Sequence, residues 1–165
     1  MKPSHLTAVA LLFAAAIYAP TLRAQGGGLD NAVGVRLGIP AGITFQHYFS
    51  DDEAAEFILA SRYRGWTFTA LYEWHKPAFQ VDGLKWFVGV GGHIGTYHWY
   101  AGHPWWDEEY NGSRMVLGVD GIIGLEYFIP DTPLMVSVDW KPDFNLIGYN
   151  ALVADNGALS VRYRF

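Results

Sequence analysis

The sequence contains no cysteine, which excludes both a disulfide scaffold and a lipoprotein anchored through its N-terminal cysteine. Charged residues are also sparse at 16% of the chain, and acids outnumber bases by 16 to 11. This acidic balance argues against a nucleic-acid or polyanion partner. After residue 24, no apolar run approaches the length of about 18 residues that a membrane-spanning helix needs.

The first 24 residues have the organisation of a secretory signal peptide. Lys2 precedes an uncharged stretch over residues 6–20, and a small residue, Ala24, stands before the proposed cleavage site. A retained membrane anchor is the alternative, but about 15 apolar residues are short for a spanning helix. We therefore predict a signal peptide over residues 1–24 and a single mature domain over residues 25–165.

The mature part of the chain is rich in alternating apolar and polar residues. In residues 116–128, and again in residues 134–141, one face of the pattern is apolar while the other mixes glycine with charge. Side chains alternate across a β-strand, so this region predicts a hairpin with one apolar wall and one partly charged wall. The connection between the two halves, IPDTP, has the composition of a turn.

The same alternation predicts eight antiparallel strands. Their predicted bounds are residues 31–38, 42–49, 56–64, 66–75, 84–97, 116–128, 134–141 and 158–165. In lipid, only helices and closed barrels satisfy every backbone polar group. An exported chain without a helical span is therefore predicted to be an all-β, up-and-down transmembrane β-barrel in a Gram-negative outer membrane. A soluble two-sheet sandwich is the alternative fold.

The lengths of the connections are asymmetric. If the N-terminus is periplasmic, three short turns lie on the periplasmic side, and two long connections over residues 99–114 and 144–157 lie outside the cell. Such barrels usually combine short periplasmic turns with longer external loops. The first long connection contains Trp99, Tyr100, Trp105 and Trp106, which we predict to serve the external aromatic girdle and loop packing, with a glycan platform as the alternative.

Several segments resemble small eight-stranded outer-membrane barrels of the OmpA/OmpX type, and more narrowly an uncharacterised group of such proteins. They are residues 69–77 (TALYEWHKP), 89–95 (GVGGHIG), 117–127 (LGVDGIIGLEY), 137–142 (SVDWKP) and 157–165 (GALSVRYRF). The terminal Phe165, with Tyr163 and Val161 at alternate positions, resembles the signal read by the barrel-assembly machinery. The resemblance implies the fold, an outer-membrane location and that assembly partner, but no activity.

An eight-stranded barrel is just wide enough for side chains to fill its interior. The alternation directs a mixed set of charged and titratable side chains inward: Arg36, Arg62, Arg64, Glu73, His75, His93, Asp120, Glu126, Asp139, Lys141, Arg162 and Arg164. Charges removed from bulk water need partners, so we predict a salt-bridged network that fills the lumen. Neighbouring glycines such as Gly118 and Gly124 are expected to leave room for the long side chains.

The predicted network favours a structural or surface-interaction role for a monomeric barrel in the lipid bilayer. The first alternative is a narrow channel for small or apolar solutes, in which ion pairs exchange partners. The second alternative is a membrane-embedded enzyme that modifies lipid or peptide.

Patterns that indicate catalysis or metal binding are weak. No serine of the mature chain lies two residues from a histidine, the spacing that would place both on one strand face, although a cross-strand pair such as His93 with Ser137 remains open. His98 and His103, followed by acids at residues 107–109, have no spacing typical of a closed metal site. We therefore predict no enzymatic activity, no catalytic residues, no metal and no cofactor.

Overall fold

The computed structural model describes residues 30–62, 65–99, 112–148 and 152–165. All regular structure in these ranges is β-strand, and none of them contains a helix that could cross a membrane. The predicted signal peptide lies outside the described residues, as do Arg64, Tyr100, Trp105 and Trp106.

Ten strand segments follow one another along the chain. They are β1 (Asn31–Gly38), β2 (Ala41–Ser50), β3 (Glu53–Arg62), β4 (Gly65–Pro77), β5 (Leu84–Trp99), β6 (Gly112–Phe128), β7 (Leu134–Trp140), β8 (Asp143–Ile147), β9 (Leu152–Val153) and β10 (Gly157–Arg164).

These segments close into an eight-stranded antiparallel barrel. The strands from β1 to β6 each pair with the next one along the chain, and the pairing of β10 with β1 closes the ring. The seventh barrel strand consists of β7 and β8, which both pair with β6, and the eighth consists of β9 and β10. The predicted all-β, eight-stranded antiparallel fold is confirmed.

The seventh barrel strand is interrupted at Lys141 and Pro142. Pro142 has no N–H to donate, but its carbonyl accepts a hydrogen bond from the N–H of Gly121 at 2.9 Å. The N–H of Lys141 donates to the carbonyl of Asn156 at 2.8 Å. Backbone pairing therefore continues across the break, and the alternation of inward and outward side chains is kept through β8.

The two ends of the barrel are distinct. At the terminal end, Asn31 and Phe165 exchange backbone hydrogen bonds of 3.2 and 2.9 Å, and the short turns at residues 51–52, 78–83 and 129–133 lie beside them. At the opposite end, here called the loop end, residues 39–40 join β1 to β2. The three undescribed internal ranges also follow strands that run towards the loop end.

Both long connections predicted from the sequence were placed too broadly. Backbone pairing continues as far as Trp99 opposite Gly112, so Trp99 ends β5 rather than lying in a loop. The second predicted connection, residues 144–157, contains most of β8 and all of β9. Pro142 and the polar residues after it are typical of a loop, but pairing with β6 depends on backbone groups and does not need an apolar face.

The distribution of side chains is inverted relative to that of a soluble protein. Arg36 and Arg162 are the largest of the fully buried side chains, whereas Val138 and Trp140 on the outer wall are 54% and 48% exposed. The buried apolar core is small and lies inside the barrel: Ile58, Ala60, Leu71, Phe87 and Ile122. His47, which the alternation places on the outer face, is half-buried at the terminal end, where its Nδ1 lies 2.9 Å from Oδ1 of Asn31.

Candidate functional site: the charged lumen

The structure places most of the predicted inward charges inside the barrel. The buried members are Arg36, Glu73, His75, His93, Asp120, Glu126, Asp139, Lys141 and Arg162. Arg164 is half-buried at the terminal mouth. Arg62 ends β3, and Arg64 lies outside the described residues.

A pair formed by Arg36 and Asp139 lies inside the barrel. Nη1 and Nη2 of the guanidinium donate to the two carboxylate oxygens at 2.5 and 2.6 Å, and both side chains are fully buried. This two-bond geometry matches the planar guanidinium to the planar carboxylate, which makes it the strongest form of such a pair. Because β10 lies between β1 and β7, the pair also braces strands that are not direct neighbours.

Arg162 crosses the lumen from the last barrel strand. Its guanidinium forms an ion pair with Glu56 of β3, and Nη1 donates to Oγ of Ser137 at 2.8 Å. Thr44 of β2 donates its hydroxyl to the same Glu56 carboxylate. One arginine therefore links β10 to the far side of the ring.

Beside this pair, at the terminal end, lies a chain of carboxylates with one histidine. Nδ1 of His75 is 2.8 Å from Oε1 of Glu126, and its Nε2 is 3.4 Å from Oε2 of Glu73. The Tyr48 hydroxyl donates to Oε2 of Glu126 at 2.9 Å. We call the group formed by Tyr48, Glu56, Glu73, His75, Glu126 and Arg162 the terminal cluster.

Aromatic rings cover the terminal cluster on the side of the barrel mouth. Phe87 stacks on the His75 imidazole, with 5.3 Å between the ring centres and 24° between the planes. Phe128 lies between two cations, because Arg164 stands 4.5 Å and Lys85 stands 5.3 Å from the centre of its ring. Such cation–π contacts hold the ring across the opening and separate the cluster from water.

A second group of charges lies nearer the loop end. The Lys141 ammonium forms an ion pair with Asp120 and stands 3.6 Å from Asp143. Nδ1 of His93 is 2.8 Å from Oδ2 of Asp120, and its Nε2 is 2.9 Å from Oδ1 of Asn145. Nδ2 of Asn156 donates to Asp143. We call His93, Asp120, Lys141, Asp143, Asn145 and Asn156 the loop cluster.

The loop cluster borders a small pocket that is partly open to solvent and has room for about one water molecule. Its lining is almost entirely polar: Pro40, Thr67, Thr69, His93, Tyr97, Lys141, Asp143 and Asn156. Water that enters this space screens the neighbouring charges, which the covered terminal cluster does not allow.

Two glycines of β6 make room for bulky lumen side chains. A methyl group at Gly124 would lie 2.5 Å from the carbonyl oxygen of Val138 and 2.6 Å from the Cζ atom of Phe87, and one at Gly118 would collide with the carbonyl oxygen of Phe144 and with the His93 ring. On the outward face of the same strand, a methyl group at Gly121 would meet only Pro142, at 3.8 Å. The inward glycines therefore serve packing, as the sequence pattern predicts.

The network predicted from the sequence lacks five members of the two clusters: Tyr48, Glu56, Asp143, Asn145 and Asn156. Glu56 shares the inward face of β3 with Ile58 and could have been found by extending the alternation by one position. Asp143 and Asn145 continue the inward series of Asp139 past Pro142. The proline concealed them, because it is a strong signal for the end of a strand.

No catalytic arrangement forms around the lumen histidines within the described ranges. His93 contacts Asp120 and Asn145, whereas Ser137 accepts its hydrogen bond from Arg162, so the cross-strand pair of His93 with Ser137 does not form. The described part of the chain holds no group of three histidines and acids that could bind a metal ion. His103 and the acids at residues 107–109, whose spacing in the sequence is considered for metal binding, lie outside it.

The predicted assembly signal ends the last barrel strand. Val161 and Tyr163 are half-buried on the outward side of β10, and Phe165 is 54% exposed just after it. Their recognition by an assembly machinery remains a prediction.

The fold is similar to that of known bacterial barrels. The N-terminal β-barrel domain of Pseudomonas aeruginosa OprF matches with a TM-score of 0.62 at 13% identity, over 82% of this chain and 96% of that domain. Neisserial surface protein A matches with a TM-score of 0.47 at 13% identity, over 82% of this chain and 94% of that one. No protein-family model and no curated protein matches the sequence. At this identity, the likeness to OprF establishes the fold alone.

Proposed function

We propose that this protein is a small outer-membrane barrel whose lumen is closed by its own side chains, and that it acts as a structural or surface-presenting element. The observation that carries the proposal is the inverted side-chain distribution, with ion pairs inside and an apolar wall outside. Apolar residues that cover the outer surface of a closed barrel are suited to lipid, since their exposure to water is unfavourable.

The outer wall has the composition of a lipid-facing surface. Along the described strands, charged residues at outward positions occur only at the terminal rim, where Glu53 begins β3 and Lys76 stands near the end of β4. The outward side chains between the rims include Phe45, Phe57 and Phe68, which form a stacked row across β2, β3 and β4. A continuous uncharged band is what the hydrocarbon core of a bilayer requires.

The height of this wall also fits a membrane. Trp66 and Trp74 mark the two ends of the outward face of β4 and are eight residues apart. At about 3.4 Å per residue and a strand tilt of about 40°, they stand roughly 21 Å apart along the barrel axis. With their side chains, they bound a band close to the apolar height of about 25 Å seen in outer-membrane barrels.

The crowded lumen supports a closed barrel in preference to a channel. The buried Arg36–Asp139 and Arg162–Glu56 pairs take up space inside the barrel, and Phe128 packs against Arg164 at the terminal end. We further propose that export uses the signal peptide over residues 1–24, that assembly uses the ending at Val161, Tyr163 and Phe165, and that the mature barrel is a monomer without enzymatic activity.

Reconstitution into lipid tests this proposal. Refolded protein should migrate differently on gels before and after heating, because a closed barrel resists detergent, and it should form no stable open channel in planar bilayers. Insertion with a steady, voltage-insensitive current would replace the closed barrel with the channel alternative. A chain that folds without detergent or lipid and stays soluble would contradict the membrane location.

A further inference from the structure

The terminal cluster has more acids than permanent cations. Glu56, Glu73 and Glu126 are at most 1% exposed, and Arg162 forms an ion pair with one of them, Glu56. The neighbouring Arg36–Asp139 pair is balanced within itself. Uncompensated charge is costly to bury, so the cluster must gain positive charge from elsewhere or lose negative charge.

His75 is positioned to supply one positive charge. Its two ring nitrogens face carboxylate oxygens on opposite sides, Glu126 at 2.8 Å and Glu73 at the longer ion-pair distance of 3.4 Å. A neutral imidazole carries one N–H and would point the lone pair of its other nitrogen at an oxygen. In the imidazolium form, Nδ1–H donates to Glu126, while Nε2, which makes no hydrogen bond, brings the positive charge of the ring to ion-pair distance from Glu73.

A second proton has a place between Glu56 and Glu73. These residues are diagonal neighbours on the inward faces of β3 and β4, because Glu56 pairs with Leu71, two positions before Glu73, and diagonal neighbours are within reach of long side chains. Their carboxyl groups interact. Oε2 of Glu56 and Oε1 of Glu73 are both buried, and no donor contacts either of them. Two facing carboxylates repel each other, whereas a carboxyl and a carboxylate that share one proton form a hydrogen bond.

We propose that the terminal cluster is a proton-binding site that holds one proton on His75 and a second between Glu56 and Glu73. With both protons bound, two negative carboxylates face two positive groups, Arg162 and the His75 imidazolium. The ligand is the proton rather than a metal ion, since the described residues contain no group with metal-site geometry.

The remaining neighbours of His75 are compatible with a positive charge. Phe87 of β5 stacks on the ring, and Tyr48 of β2 lies 5.4 Å from it, so aromatic faces surround the imidazolium. Strand β7 contributes two uncharged side chains to the surroundings of the cluster, Met135 beside Tyr48 and Ser137 beside Arg162. Lys85 and Arg164 stand at the mouth, where they contact the Phe128 ring.

Proton binding makes the terminal cluster sensitive to alkali. When the protons leave, the cluster holds three carboxylates and one ion-paired arginine, Arg162, and the buried repulsion destabilises the closed lumen. Stability conferred by the bound protons is therefore complete at low pH and is lost as the pH rises. This inference concerns the interior of the barrel and can be tested in detergent, independently of the proposed cellular location.

Nitrogen-15 NMR of the full-length barrel refolded in detergent micelles tests the site directly, because it distinguishes protonated from unprotonated ring nitrogens. Both nitrogens of His75 should be protonated at about pH 7. The His75 signals are assigned by comparison with the His75→Gln variant or, if that variant does not fold, by elimination with His→Gln variants at the other five histidines, residues 5, 47, 93, 98 and 103. An unprotonated His75 nitrogen at this pH would overturn the proposal.

The second proton is tested through the melting temperature of the barrel. From about pH 7 to about pH 10, the wild-type melting temperature should fall by roughly 5 °C. Glu73→Gln retains the shape of the side chain, and its amide can donate to Glu56, so it replaces the shared proton and should reduce this fall by about half. The control His47→Gln, at the terminal rim, should show the wild-type fall. Equal falls in wild type and Glu73→Gln would contradict the shared proton.

Discussion

In the terminal cluster the charged groups are covered by Phe87 and Phe128, whereas in the loop cluster they border a pocket that is partly open to solvent. Both clusters contain one histidine held by a carboxylate and at least one permanent cation. They differ in how the acids are compensated. The terminal cluster lets carboxylates face each other, while the loop cluster places the amides Asn145 and Asn156 against His93 and Asp143.

From this difference we expect access to water, rather than the number of charges, to decide how strongly a lumen ion pair holds the barrel together. A charge that loses its partner in a dry site keeps its full desolvation penalty. One that borders water can recover part of its hydration, and the effective dielectric constant around it is higher. Breaking equivalent pairs in the two clusters should therefore give unequal losses of stability.

The largest loss is expected from Arg162→Met in the terminal cluster. The change leaves Glu56 and its neighbours without their permanent cation, and we expect the free energy of unfolding to fall by about 3–5 kcal/mol. Chemical denaturation of the refolded barrel in detergent measures it. Lys85→Met at the terminal mouth is the matched control and should cost less than about 1 kcal/mol. Similar losses in both variants would mean that the interior pair is no more important than a rim charge.

A smaller loss is expected from Lys141→Met in the loop cluster. Asp120 loses its ammonium partner, but it keeps the contact with His93, and water in the adjacent pocket reaches the site. We expect a decrease of about 2 kcal/mol in the free energy of unfolding, in the range for hydrogen bonds to charged groups. If Lys141→Met costs as much as Arg162→Met, solvent access does not explain the difference between the clusters.

The smallest loss is expected from a change of shape without a change of charge. Gly124→Ala places a methyl group against the carbonyl oxygen of Val138 and the Phe87 ring, which stacks on His75, and should cost about 1–2 kcal/mol. Gly121→Ala on the outward face of the same strand should change stability by less than about 0.5 kcal/mol. Equal effects at the two positions would show that the cost arises from the strand backbone rather than from lumen packing.

Much of the barrel could be predicted from local alternation. The inward positions of Glu73, Asp120 and Asp139 follow from strand periodicity, because side-chain direction is a property of each strand taken alone. The same periodicity predicted eight barrel strands. It failed after Pro142, where the pairing partner on β6, rather than local composition, keeps the chain extended.

The partners of these charges could not be predicted in the same way. Arg36 and Asp139 are 103 positions apart in the chain and on strands that are not adjacent, so their contact depends on the closure and stagger of the ring. His47 illustrates the same limit. Its outward position departs from the apolar pattern of β2, and its partner, Asn31 of the neighbouring strand, is visible only in the structure.

The sequence by itself determined that the chain forms strands with one apolar and one charged face, because successive side chains of a strand point to opposite faces and the pattern is therefore local. Only the tertiary structure decided which carboxylates meet each other and which meet a cation. That outcome is set by the register of eight strands around one lumen, where contacts form across the ring between residues that no local pattern connects. The same closure placed His75 between two carboxylates and left His93 beside the pocket.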